Sequence, residues 1–127
     1  MHVYITGASS GIGEAITREY LRRGASVTMI ARRKNLLEKI ATESGGKTHI
    51  VEQDLTDLEH VTDPIEEAER VLGPIDILIN NAGYQIVQAA TETKWADAEA
   101  LIRLNVLAPL KLTHHVLPSM VARRCDG

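Results

Sequence analysis

Val3-Tyr4-Ile5-Thr6-Gly7-Ala8-Ser9-Ser10-Gly11-Ile12-Gly13 is the stretch that sets the reading of the whole chain. An apolar run breaks into a glycine-rich turn and opens directly into a helical pattern. Strand, tight turn and helix N-terminus in that order form a site for a nucleotide's phosphates, because free backbone N–H groups and the helix dipole meet an anion there. Gly7 lets the chain turn sharply off the strand. Gly11 and Gly13 remove side chains where a pyrophosphate must approach bare backbone. The spacing is G-x-x-x-G-x-G, which matches neither G-x-G-x-x-G nor the Gly-Lys-Ser/Thr ending of a P-loop. Alone, the turn would equally suit a tight loop without a ligand. The following residues favour the site: Ile12, Ala15, Ile16, Tyr20 and Leu21 recur at helical spacing, and Gly24 closes the pattern.

Outward from this stretch, short apolar runs alternate with helical patterns. His2–Thr6 reads as a first strand and Ile12–Arg23 as its helix. Ser26–Ile30 is a second, β-branched strand, and Leu36, Leu37 and Ile40 mark one face of a second helix ending near Gly45-Gly46. Thr48–Gln53 is a third strand that leads to Asp54. Asp63-Pro64-Ile65-Glu66 announces a third helix, with Asp63 as cap, Pro64 in the first turn and Glu66 completing a capping box. Ile65, Ala68, Val71 and Leu72 give its buried face, and Gly73-Pro74 stops it. Ile75–Ile79 is the most apolar strand and ends in Asn80-Asn81-Ala82-Gly83. After a polar loop to about Thr93, one long helical pattern runs to the end, interrupted by Pro109 and Pro118.

Near-continuous apolar strands separated by helices imply parallel pairing with helices on both faces, an α/β Rossmann-type doubly wound sheet. Right-handed crossovers order the four strands 3-2-1-4 and open a crevice between strands 1 and 4, where the order reverses. Gly7–Gly13 and Asn80–Gly83 both lie at the C-terminal ends of those strands. Residues 1–127 are expected to be one unit, a nucleotide-binding (Rossmann) portion, with no second domain.

Bulk composition is that of an ordinary globule. The 127 residues are 44% hydrophobic and 24% charged, and can bury roughly two-thirds of their unfolded surface. A net charge of -3 gives no reason to expect nucleic acid or an anionic membrane as partner. No apolar run approaches the ~20 residues of a membrane span. The single cysteine, Cys125, reads as a spectator and makes a reducing cytoplasm the expected compartment.

Cofactor choice is legible at the end of the second strand. NAD sites place an acid there for the ribose 2′-hydroxyl. Here Ala31 stands in that place, followed by Arg32 and Arg33. A guanidinium pairs with a 2′-phosphate for roughly 1.5–3 kcal/mol, or about one to two decades of affinity. NADP is therefore favoured over NAD, the alternative being that both arginines are surface charges opening the second helix. In the long helical pattern, Pro109 has no N–H, so the Asn105 carbonyl four residues earlier loses its usual partner. His114 and His115 face different sides of a helix, His49 and His60 read as surface residues, and no cluster matches a metal site. Trp95 is expected to anchor the long helix by packing, and Tyr84 to shape the mouth of a substrate site or pack its own loop.

Thr6-Gly-Ala-Ser-Ser-Gly-Ile-Gly13, Asp54-Leu55, Asn80-Asn-Ala-Gly83, Asn105-Val106 and Leu117-Pro-Ser-Met120 together resemble the short-chain dehydrogenase/reductase family along essentially the whole chain. The resemblance implies that Gly7, Ser9, Ser10, Gly11, Ile12 and Gly13 hold the cofactor pyrophosphate, and that Asp54 with Leu55 contacts the adenine. It implies that Asn81, Ala82 and Gly83 support strand 4 and line the nicotinamide-side ribose. Arg32 would be the phosphate ligand and Arg33 an auxiliary. By the same resemblance Asn105 is the one catalytic residue present, kinking its helix and holding a proton-relay water on its main-chain oxygen. Bland alternatives stand beside these: Asp54 as a turn cap, Asn80 and Asn81 as Asx-turn formers.

The family's proton donor is a tyrosine with a lysine four residues on, helped by a serine. Tyr4, Tyr20 and Tyr84 are followed four residues later by Ala8, Gly24 and Gln88, so the pair is absent. The chain reads as the N-terminal piece of an NADP-dependent oxidoreductase acting on a small carbonyl or alcohol, inactive alone. Two other readings stand: a non-catalytic NADP(H)-binding module, and an interaction half-domain whose exposed fourth strand docks a partner or a second copy.

Overall fold

The computed structural model describes residues 1–124, so Cys125 lies outside the described residues. Four strands, β1 (His2–Thr6), β2 (Ser26–Ala31), β3 (Thr48–Glu52) and β4 (Ile77–Ile79), form one parallel sheet in the order β3-β2-β1-β4. Around it lie α1 (Gly11–Arg22), α2 (Lys34–Ser44), α3 (Pro64–Leu72), α4 (Trp95–Ile102) and α5 (Ala108–Ala122). This is the doubly wound arrangement that the strand–helix alternation predicts.

Strand alternation assigns the two cores. Val3, Ile5, Val27, Met29 and Ala31 point to one face and pack with Leu21 of α1 and Leu37 and Ile40 of α2. Tyr4 and Ile30 point to the other, against Ile65 and Ala68 of α3 and Ala108, Leu112 and Val116 of α5. Because β1 and β2 are covered on both sides, they are buried at nearly every position, as central parallel strands are.

Several local expectations are corrected. Of the expected α1 stripe, Leu21 is buried and Ile16 and Tyr20 pack partly buried against the core, while Gly13 and Thr17 are the further buried positions. Ile12 is 73% exposed, because the close approach of the first turn to β1 needs a residue without a side chain at that face. Val71 of α3 is exposed, leaving Ile65 and Ala68 as its buried face. Asp63 is itself helical and makes no side-chain cap; its carboxylate takes the His60 ring instead, Oδ2 to Nδ1 at 2.8 Å. Strand 4 shrinks to Ile77–Ile79, although Ile75 is fully buried beside it. Trp95 anchors nothing: it is 77% exposed, and its Nε1 donates to Glu99 on the same helix.

The long helical pattern is continuous across Pro109. Between α4 and α5, Arg103–Leu107 form a π segment, and the Ala108 N–H donates to the Arg103 carbonyl five residues back. A proline offers no N–H and crowds the carbonyl four residues earlier, here that of Asn105. The widened turn falls just before this proline, and such bulges are common at functional sites. Pro118 sits inside α5 on its exposed side, where water can satisfy the freed carbonyl.

Candidate functional site

At the C-terminal ends of β1 and β4 two turns are stitched together. Gly7 has φ +67°, which favours glycine, and its N–H donates to the Ile30 carbonyl at 2.9 Å. The Thr6 hydroxyl accepts from the N–H groups of both Asn81 and Ala82, at 3.1 and 3.0 Å. Asn81 Nδ2 donates back to the Gly7 carbonyl at 3.1 Å. A Cβ on Gly13 would run into that same carbonyl and into Asn81 Nδ2. The missing side chain of Gly13 therefore serves helix–turn packing. Ser10 is extended and makes no side-chain cap, so the first-turn N–H groups of α1 keep their capacity for an anion.

These turns form one wall of an open cleft of about 740 Å³. Gly7, Ser9 and Ser10 line it from the first turn, Arg32 and Arg33 from the end of β2, and Asp54 and Leu55 from the end of β3. Asn81, Ala82 and Gly83 complete it from the end of β4. Gly11, Ile12, Gly13 and Asn105 do not line this cleft. Asp54 Oδ1 accepts from the Thr56 N–H at 2.9 Å and the Thr56 hydroxyl at 2.7 Å. Those bonds, and the nearby Arg32 charge, hold its carboxyl below the ordinary range against partial burial. Asp54 is thus both a turn cap and a wall of the cleft.

Asn105 lies behind Gly83. Its Oδ1 accepts from the Tyr84 N–H at 3.0 Å while its Nδ2 donates to the Tyr84 carbonyl at 2.5 Å. The π segment aims this amide at the strand-4 turn, and a Cβ on Gly83 would lie 2.9 Å from its Oδ1. The side chain clasps backbone; it does not face the cleft.

Sequence reading missed Thr6 as a stitch, and it missed Gln53, Thr56, Ala100 and Leu104 on the walls. Ala100 and Leu104 are four apart, a helical spacing that could have flagged them. The Asp54-x-Thr56 pattern was a recognisable turn signal. Tyr84 does reach the cleft and is half-exposed. Among the described residues, no three His, Cys, Asp or Glu side chains could hold a metal, and no helix is long and apolar enough to cross a membrane.

The sequence profile of the short chain dehydrogenase family matches residues 1–127. The chain belongs to that family. It is 41% identical over 126 residues to a fatty acyl-CoA reductase of Mycobacterium tuberculosis, a match spanning 95% of this chain and 43% of the relative. Among solved structures, it resembles a metagenomic short-chain oxidoreductase in complex with NADP, with TM-score 0.89, 32% identity, and coverage of 96% of this chain and 57% of that one. The L-sorbose reductase of Gluconobacter frateurii, complexed with NADPH and L-sorbose, is similar at TM-score 0.86 and 30% identity, with 96% and 48% covered. The chain thus spans about half the length of these relatives.

Proposed function

We propose that this chain supplies the dinucleotide half of an NADP-dependent oxidoreductase that interconverts a small carbonyl and an alcohol. The observation that carries this is the placing of Arg32 and Arg33 on the cleft, with no acid at the end of β2. The donor set fits the cofactor: guanidinium groups for a 2′-phosphate, Ser9, Ser10 and the uncapped start of α1 for the pyrophosphate, Asp54 and Leu55 for the adenine. Gly11, Ile12 and Gly13 contribute through the first-turn backbone, and Asn81, Ala82 and Gly83 through the opposite wall. Relatives solved with NADP or NADPH support this choice. The bound nicotinamide supplies the hydride; the chain's own residues hold and orient the dinucleotide. Asn105 fixes the strand-4 turn with its side chain and contributes to chemistry through its main-chain oxygen, as family resemblance implies. Residues 1–127 contain no Tyr-x-x-x-Lys, so we propose binding without turnover by these residues alone, in a reducing cytoplasm.

Fluorescence titration tests this reading. NADPH should bind more tightly than NADH, and Arg32→Ala should weaken NADPH by about one to two decades while leaving NADH nearly unchanged. Equal affinities, or a variant that weakens both alike, would overturn the NADP assignment.

A second reading, association with another copy, is favoured by one observation. Ile102, Val106, Leu110, Leu117 and Val121 are all exposed along the rod formed by α4, the π segment and α5, and scattered single exposures would not line up in this way.

A further inference from the structure

At the end of the sheet opposite the cleft, one histidine joins three elements. His2 is 2% exposed. Its Nδ1 lies 2.7 Å from the Gly73 carbonyl in the turn between α3 and β4, and its Nε2 lies 2.7 Å from the Thr28 hydroxyl on β2. A carbonyl can only accept, so Nδ1 carries the proton, and neutral Nε2 must accept from Thr28. The backbone of His2 is clipped to the same turn: its N–H donates to Asp76 Oδ2 at 2.7 Å, and its carbonyl accepts from the Asp76 N–H at 2.9 Å. These bonds lie one rung below the Val3–Ile77 pair that starts the β1–β4 ladder. With only three residues in β4 and pairing on one side, that edge strand depends on its lower clip for register.

We propose that His2 is an acid-sensitive lock which holds the turn between α3 and β4 to the sheet while neutral and releases it when protonated. A second ring proton would point at Thr28 Oγ1, itself fully buried. The hydroxyl would have to turn its own hydrogen away and give up the bond it donates to the ring. The ring would also carry a charge out of water. The charged and titratable groups facing the junction are Glu69 of α3 and Asp76 of the turn, which favour the charged ring, and His49 of β3, which opposes it. Arg123 at the end of α5 offsets Asp76, with Nη1 3.6 Å from its Oδ1. Burial outweighs them and pushes His2 below the ordinary histidine value of 6.5.

The sign follows from linkage. Below that value the unfolded chain takes up a proton that the folded one resists, so stability is lost as pH falls through and below 6.5. His60 has the opposite sign: Asp63 raises its pKa, so it contributes at low pH and cannot cause this loss.

Thermal unfolding of the whole chain, with and without His2→Gln, between about pH 7.5 and about pH 5.5 tests the lock. The wild type should lose several degrees of Tm across that window. The variant should be the less stable at the upper pH, with the gap closing as pH falls; a gap independent of pH overturns the proposal. Should the variant fail to fold, proton NMR of the wild-type ring decides. A His2 Cε1–H signal that stays in its neutral position below the ordinary value until unfolding upholds the lock. Titration at or above the ordinary value refutes it.

Discussion

Gly13 and Gly7 meet so closely that one missing side chain determines how helix and turn join. A Cβ on Gly13 would press on the Gly7 carbonyl, which is backbone and cannot swing aside, and on Asn81 Nδ2, which is already bonded to that carbonyl. Gly13→Ala should therefore destabilise by about 3 kcal/mol, the upper end for overpacking, and NADPH binding should fall with it. Urea unfolding and the same fluorescence titration would show whether both occur. Wild-type stability in the alanine variant would mean that the turn can relax. At this scale the sequence was half legible. Gly7, Arg32, Asp54 and Asn81 showed themselves through motif and position, and all lie on the cleft. Thr6 stayed hidden although it stood inside the quoted stretch, because its hydroxyl acts on a turn more than seventy residues away in the chain and local pattern carries no sign of such a bond. Ile12 misled for a related reason: helical periodicity reports which residues are apolar, and the close packing of Gly13 chose a different face.

Among the elements, β1 and β4 are joined beyond the cleft end of their ladder by the Thr6 hydroxyl, which accepts from two backbone N–H groups, and by the Asn81 amide on the Gly7 carbonyl. Removing the hydroxyl leaves both part-buried donors without a partner, whereas a shorter hydroxyl residue keeps them satisfied. Thr6→Val should cost about 2 kcal/mol in urea unfolding and Thr6→Ser much less, given the penalty for stranded donors. If valine and serine behave alike, the hydroxyl is not the stitch. Element identities and order were largely legible, since β-branched runs, Gly24 and Gly73 punctuate the chain clearly. The ends were less so. Asp63 looked like a cap, but His60 three residues earlier draws its carboxylate away, a competition that no capping rule anticipates. The apolar Ile75 predicted strand, yet β4 starts only at Ile77, after the Asp76 rung with His2.

For the whole molecule, the exposed apolar residues of the α4–α5 rod depart from an ordinary surface. Leu110 and Leu117 are 61% and 49% exposed. A chain with that face uncovered should associate at micromolar concentration. Leu110→Lys together with Leu117→Lys should shift it to monomer in light scattering without changing its fold by circular dichroism. A monomeric wild type would remove the reading of this face as a meeting surface. The sequence announced the apolar character of these helices but not which side would be left over, because their moment against the sheet depends on the π segment.

That segment also sets the rotational phase of the rod. Each helical residue turns the chain by about 100°, and the widened turn at Arg103–Leu107 holds one residue more than regular winding would. Asn105 can reach Tyr84 while Ala108, Leu112 and Val116 still point inward because that additional residue lets the two halves be indexed separately, like gears offset by a tooth. Deleting it would force a choice, since the clasp on the strand-4 turn and the inner seam of α5 would no longer fall on compatible bearings.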